Sequence, residues 1–132
     1  MRYSKFLDKK NVVAVVGVSR NSKKWGYKIF KKLIDIGFNV YAVNPKYPEI
    51  AGVKCYPTIK SLPAKPDVVI TAVPPKITEK IVKESKALGV KMVWMQPGSE
   101  SEKAIAFCKE NDIEVVYNAC FVVTGLGANF NN

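Results

Sequence analysis

The sequence predicts an α/β fold, a doubly wound, mostly parallel sheet of five main strands with helices on both faces. Three observations carry this expectation. Continuous β-branched apolar runs recur along the chain, segments of helical periodicity lie between them, and 132 residues suit one domain and are too few for two. Hydrophobic residues at 48% and charged residues at 24% give the balance of a globular chain able to bury a core. A single domain over 1–132 is expected, with its core from about residue 10 to about residue 123.

Residues 12–17, Val-Val-Ala-Val-Val-Gly, read as a strand buried on both faces of a parallel sheet. From Gly26, the residues Ile29, Phe30, Leu33 and Ile34 form one apolar stripe with Lys28, Lys31, Lys32 and Asp35 opposite, and Gly37 ends that helix. Residues 38–43, 67–73, 91–95 and 113–117 repeat the strand pattern, and Lys54-Cys55-Tyr56 suits a short edge strand. A second helix carries Ile77, Ile81, Val82, Ser85 and Leu88 inward and closes at Gly89. Ser99-Glu100-Ser101-Glu102 reads as a capping box opening a third helix, with Ala104, Ile105 and Cys108 facing in. The first residues suit a short extra helix, and the tail 124–132 is expected to be loosely ordered.

Composition removes several function classes. No apolar run approaches the roughly 18 residues of a membrane helix, and the first ten residues lack a signal peptide's apolar stretch. A cytoplasmic protein is therefore expected. Three cysteines, Cys55, Cys108 and Cys120, are an odd number without ligand spacing, which argues against a disulfide scaffold or a metal site. The chain has no histidine, so His-based acid–base catalysis, Ser/His or Cys/His pairs and a phosphohistidine relay are absent.

Charge is unevenly placed. Residues 1–66 carry 14 Lys and Arg against 3 acids, a net of +11, whereas residues 67–132 carry 7 against 8, a net of −1. The first half thus suits a polyanionic partner, although 19 of the 21 cations are Lys, which also suits a solubilising or heat-adapted surface.

Ligands of open α/β sheets bind outside the carboxyl ends of the strands. The unusual residues collect there. The loop after the first strand offers Gly17, Val18, Ser19, Arg20, Lys24, Trp25 and Gly26; the next offers Asn44, Pro45 and Lys46; then come Val73, Pro74 and Pro75, then Gln96-Pro97-Gly98, and finally Asn118-Ala119-Cys120. Gly17 permits a sharp turn, and the free N–H groups opening the following helix attract anions. Ser19 adds a hydroxyl donor and Lys24 a charge. Gly26, on the buried helix face, suits close helix–sheet packing, while Trp25 either covers a ligand or packs. A dinucleotide site asks for glycine at position 19 and an acid after the second strand. Ser19 and Asn44 with Lys46 stand there instead, and a cation at that end suits a phosphorylated ribose. Charge alone does not separate the 2′-phosphate of NADP from the 3′-phosphate of coenzyme A.

Val16-Gly17-Val18-Ser19, Lys24-Trp25-Gly26, Val43-Asn44-Pro45-Lys46, Cys55-Tyr56-Pro57, Val73-Pro74-Pro75, Trp94-Met95-Gln96-Pro97-Gly98 and Asn118-Ala119-Cys120 together resemble the stand-alone CoA-binding domain family. That family is related to the CoA-binding domain of the succinyl-CoA synthetase α subunit. The resemblance implies a Rossmann-type domain that binds coenzyme A or an acyl-CoA as a non-catalytic or accessory protein. It implies Gly17, Ser19 and Lys24 at the pyrophosphate, Asn44, Pro45 and Lys46 at the adenosine and its 3′-phosphate, and Val73, Pro74 and Pro75 midway. The pantetheine then runs toward Gln96 and Cys120. Cys120 is either a small residue packed under the tail or a thiol able to form a mixed disulfide with CoA. Two other classes compete: an NADP-binding oxidoreductase, which lacks a Tyr-Lys pair at single-turn spacing outside the first helix, and a basic nucleic-acid-binding protein, which lacks aromatic-interleaved motifs and a recognition helix.

Overall fold

The computed structural model describes residues 3–130. Along the chain run β1 (Val12–Val16), α1 (Trp25–Asp35), β2 (Asn39–Val43), β3 (Glu49–Ile50), β4 (Val53–Tyr56), β5 (Val68–Thr71), α2 (Pro75–Leu88), β6 (Met92–Met95), α3 (Glu102–Glu110) and β7 (Glu114–Val116), followed by a π-helical turn over Phe121–Gly125. The sheet order is β3-β4-β2-β1-β5-β6-β7. Every pairing is parallel except the antiparallel β3–β4. The doubly wound α/β class is the one the sequence predicts. No helix among the described residues is long and apolar enough to cross a membrane.

Alternation along β1 explains the two covered faces. Val13 and Val15 join Ile29, Phe30 and Leu33 of α1 in one core, whereas Ala14 and Val16 join Ile81 and Val82 of α2 and Ala104 and Cys108 of α3 in the other. Trp94, fully buried in the first core, meets Tyr3, Phe6 and Phe121 edge-on. Its indole N–H donates to the Ala119 carbonyl at 2.8 Å, which pins the segment after β7 beneath the sheet.

Several expectations are corrected. The five main strands are present as β1, β2, β5, β6 and β7, and two short ones, β3 and β4, extend the sheet to seven. The edge strand at Lys54–Tyr56 is β4, and β3 is added through a tight hairpin whose two loop residues, Ala51 and Gly52, both have positive φ (51° and 77°). The cap of α3 is Ser101, whose side chain accepts the Ala104 N–H at 3.0 Å, and not Ser99. Ser99 is buried instead, with its hydroxyl on the Gln96 and Thr71 carbonyls. Ile77 leaves the core stripe of α2 and is 38% exposed, while Thr78 takes the buried place. Residues 3–7 form one hydrogen-bonded turn, with the Phe6 and Leu7 N–H groups both on the Tyr3 carbonyl, rather than a helix. In the tail, the Leu126 N–H donates to Phe121 and the Ala128 N–H to Val122, and the Phe130 ring lies edge-on to Trp25. Asn131 and Asn132 lie outside the described residues.

Thr78 is fully buried, and its hydroxyl has no hydrogen-bond partner among the described residues. A buried unpaired hydroxyl costs about 1 kcal/mol or more, and valine keeps the shape without it. Thr78→Val should therefore raise the urea-unfolding free energy by about 1 kcal/mol; an unchanged or lower value would mean that the hydroxyl is satisfied in solution.

Candidate functional site

The parallel register ends β1, β2 and β5 together, with Val16 beside both Val43 and Thr71. The loops that follow therefore open onto one edge. Gly17 turns the chain at φ 98°, donating its N–H to the Val43 carbonyl at 2.9 Å. A Cβ at Gly17 would strike the Ala72 carbonyl oxygen and come within 2.6 Å of Val73 Cγ1. A Cβ at Gly26 would fall on the Gly17 carbonyl oxygen. The first turn of α1 thus lies directly on the backbone of the β1 loop, an approach only glycine permits at both positions.

That approach brings the start of α1 to the sheet edge. Its N-cap, Lys24, is extended and offers no side-chain cap, and no acid stands in the first turn. The first N–H groups have no intrahelical acceptor and carry the positive end of the helix dipole. α2 also opens without a side-chain cap or an early acid, but Pro74 and Pro75 carry no N–H and the Ile77 N–H donates to the Pro74 carbonyl at 2.9 Å, so its first turn offers fewer free donors than that of α1. By contrast, α3 has both the Ser101 cap and Glu102 in its first turn. All three helices follow parallel strands and begin at this edge, and α1 and α2 are the two that begin there without a side-chain cap or an early acid.

Side chains hold the loops in place. Ser19 Oγ accepts the Asn21 N–H at 3.0 Å, keeping its own hydrogen available, and Asn21 Oδ1 accepts the Lys23 N–H at 3.0 Å. Asn44 ties the β1 and β2 loops: its Nδ2 donates to the Val18 carbonyl at 2.9 Å, and its Oδ1 accepts the Lys46 N–H at 2.9 Å. Gln96 is buried, accepts the Phe121 N–H at 2.7 Å through Oε1, and donates from Nε2 to Cys120 Sγ at 3.3 Å.

These loops enclose a cleft of about 920 Å³, within the range of small-molecule sites. Of the residues singled out from sequence, Gly17, Ser19, Lys24, Trp25, Gly26, Asn44, Pro45, Lys46, Val73, Pro74 and Gln96 line it. Four do not. Val18 is wholly buried in the core. Arg20 turns to Glu49, with its Nε on the Glu49 carbonyl at 3.1 Å and its guanidinium 4.9 Å from the Tyr47 ring centre. Pro75 stays in the first turn of α2. Cys120 stands behind Gln96. Trp25 is 57% exposed at the mouth, between Phe130 and the Lys28 ammonium.

Sequence reasoning missed one wall. Ile77, Lys80, Ile81 and Glu84 of α2 line the cleft, as do Tyr47, Pro57 and Thr58. The spacing of the four α2 residues is that of one helix face, which is the signal that was available.

Among the described residues, no cluster of His, Cys, Asp or Glu suits a metal ion. Cys108 is fully buried, and burial pushes its thiol up to about 11. Burial also raises Cys55, opposed by the Arg20 charge. Neither lines the cleft.

A sequence model described as "CoA binding domain" matches residues 11–125. An ADP-forming acetate–CoA ligase I of Archaeoglobus fulgidus is 47% identical over 73 residues, covering 55% of this chain and 11% of the ligase. The chain thus spans about a tenth of that relative's length. YneT of Bacillus subtilis, itself described as uncharacterized, is 26% identical over 117 residues, 89% of this chain and 87% of YneT. Among solved structures, a conserved hypothetical protein from Pyrococcus furiosus superposes with a TM-score of 0.80 at 40% identity, covering 84% of this chain and 96% of that one. A dinucleotide-forming acetyl-coenzyme A synthetase 1 from Ca. Korarchaeum cryptofilum gives a TM-score of 0.78 at 27% identity over 91% of this chain and 28% of its own.

Two outcomes follow from the geometry. Gly→Ala inside a helix ordinarily stabilises by about 1 kcal/mol. Gly26→Ala should instead destabilise by about 1–3 kcal/mol, because the methyl group displaces the Gly17 carbonyl; thermal unfolding gives the sign. Thiolates react and thiols do not, and a raised pKa keeps Cys55 and Cys108 protonated at pH 8. Iodoacetamide at that pH should modify the partly exposed Cys120 first, as read by peptide mass, with Cys108 reacting only on unfolding.

Proposed function

Because the chain belongs to the CoA-binding domain family, matching it over residues 11–125, we propose that it is a cytoplasmic protein that holds coenzyme A or an acyl-CoA across the carboxyl ends of its strands without acting on it. The observation that carries this reading is the start of α1, which opens onto the cleft beside the Gly17 turn with neither a side-chain cap nor an early acid. Anions are stabilised at such termini.

In this reading the pyrophosphate rests on the Gly17–Ser19 turn and the first turn of α1, within reach of the Ser19 hydroxyl and the Lys24 ammonium. The adenosine lies over Asn44 and Pro45, with its 3′-phosphate paired to Lys46. Asn44 shapes this part of the site, its amide tying the β1 and β2 loops and its backbone N–H donating to the Tyr56 carbonyl. The pantetheine passes Val73 and Pro74 toward Gln96, whose amide separates it from Cys120.

An accessory role is supported by the chemistry the chain lacks. It has no histidine to carry a phosphoryl group, and the cleft takes none of the three thiols among its lining residues. The acetate–CoA ligase relatives are far longer than this chain, and their reaction is not assigned to it.

Calorimetry tests the reading. CoA should bind at one site with a dissociation constant on the order of micromolar, about −8 kcal/mol, and equal or tighter binding of NADP would reject it. Lys46→Ala should weaken CoA by about 1.5–3 kcal/mol while leaving 3′-dephospho-CoA nearly unchanged, because only CoA loses a charge-assisted contact. Equal losses for both ligands would reverse the assignment of the adenosine end.

A further inference from the structure

The α2 wall of the cleft carries a charge that no phosphate needs. Read from the N-terminus of α2, the cleft-facing residues are Ile77, Lys80, Ile81 and Glu84, that is, apolar, cation, apolar, carboxylate. Seven residues at the helical rise set Glu84 about 10 Å along the axis from Ile77. Glu84 is the one carboxylate lining the cleft among the described residues, against Lys24, Lys46 and Lys80. It is half-buried, and no hydrogen bond or ion pair holds it among those residues.

An ionised carboxylate only accepts hydrogen bonds, and it repels phosphate. Its place therefore calls for a neutral donor at the end of the cleft away from the helix start. Adenine matches this pattern: a flat apolar ring for Ile77 and Ile81, with an exocyclic amine at its edge. We propose that Glu84 selects adenine as the base of the bound nucleotide by accepting a hydrogen bond from the 6-amino group. The inference rests on the coenzyme A reading above. A hypoxanthine held in the same position would turn its 6-oxo oxygen toward the carboxylate, so the same residue disfavours that base by repulsion. The pantetheine amides are donors too, but in that reading they leave toward Gln96.

The test compares the affinities of the wild-type protein, Glu84→Gln and Glu84→Ala for CoA and for its 6-oxo counterpart, in which hypoxanthine replaces adenine. The wild type should favour CoA by about tenfold or more, as a hydrogen bond to a charged group requires. Glu84→Gln should bring the two ligands close to parity, because its amide accepts from an amine and donates to a carbonyl. Glu84→Ala should also lose most of the preference. A wild type that binds both ligands alike, or variants that keep the wild-type ratio, would overturn the role of Glu84 while leaving CoA binding intact. A wild type that binds neither ligand would overturn the coenzyme A reading itself.

Discussion

Two glycines nine positions apart meet through their backbones, and the site depends on that contact. Gly26 has no Cβ, so α1 settles on the Gly17 carbonyl. Gly17 has none either, so the turn presses against Ala72 and Val73 at the end of β5. A larger residue at either position would lift the start of α1 from the sheet edge. The uncapped N–H groups would then face solvent instead of the cleft, and the anion-binding character of the edge would go with them. Asn44 adds the second constraint, locking the β2 loop to the β1 loop through Val18.

The same geometry sorts the basic first half into kinds of cation. Lys24 and Lys46 stand in the cleft. Arg20, equally suggestive in sequence, is spent on Glu49 and Tyr47 and holds the β3–β4 hairpin. Lys28, Lys31 and Lys32 follow the outer side of α1; Lys31 pairs with Asp35 at 3.1 Å, an exposed i,i+4 contact worth a few tenths of a kcal/mol. Net charge alone suggests an anionic partner, and only local structure says which cations line the cleft.

Legibility in the sequence followed the strength of the local signal. The strands β1, β2, β5 and β6 were legible because a short, largely apolar run between helical segments suits a strand of a parallel sheet. The glycine turn and the Asn-Pro-Lys loop were legible because strand ends put them on one edge. β3 was not, because two residues carry no periodicity and Ala51 is an unusual residue for a positive φ. The cap of α3 was misread because Ser99 and Ser101 both suit the role, and the choice was made by Thr71 and Gln96, which claim Ser99 from elsewhere in the chain. Ile77 and Glu84 were missed for a related reason. An apolar residue at core spacing reads as core, and only the opening between α2 and the loop after β4 turns that face into a wall. Cys120 was placed near the ligand thiol by strand order alone, and the intervening Gln96 amide is a tertiary fact.

The central claim is that the ligand's diphosphate sits on the backbone of the β1–α1 junction. Amide nitrogen–proton correlation spectra of labelled protein titrated with CoA test it most directly. The account predicts that the largest shifts fall on the amides of residues 17–19 and 24–27, with a second group at Asn44, Lys46 and Tyr47. Shifts confined to the outer Lys28, Lys31 and Lys32 face, or absent from Gly17 and Gly26, would contradict it.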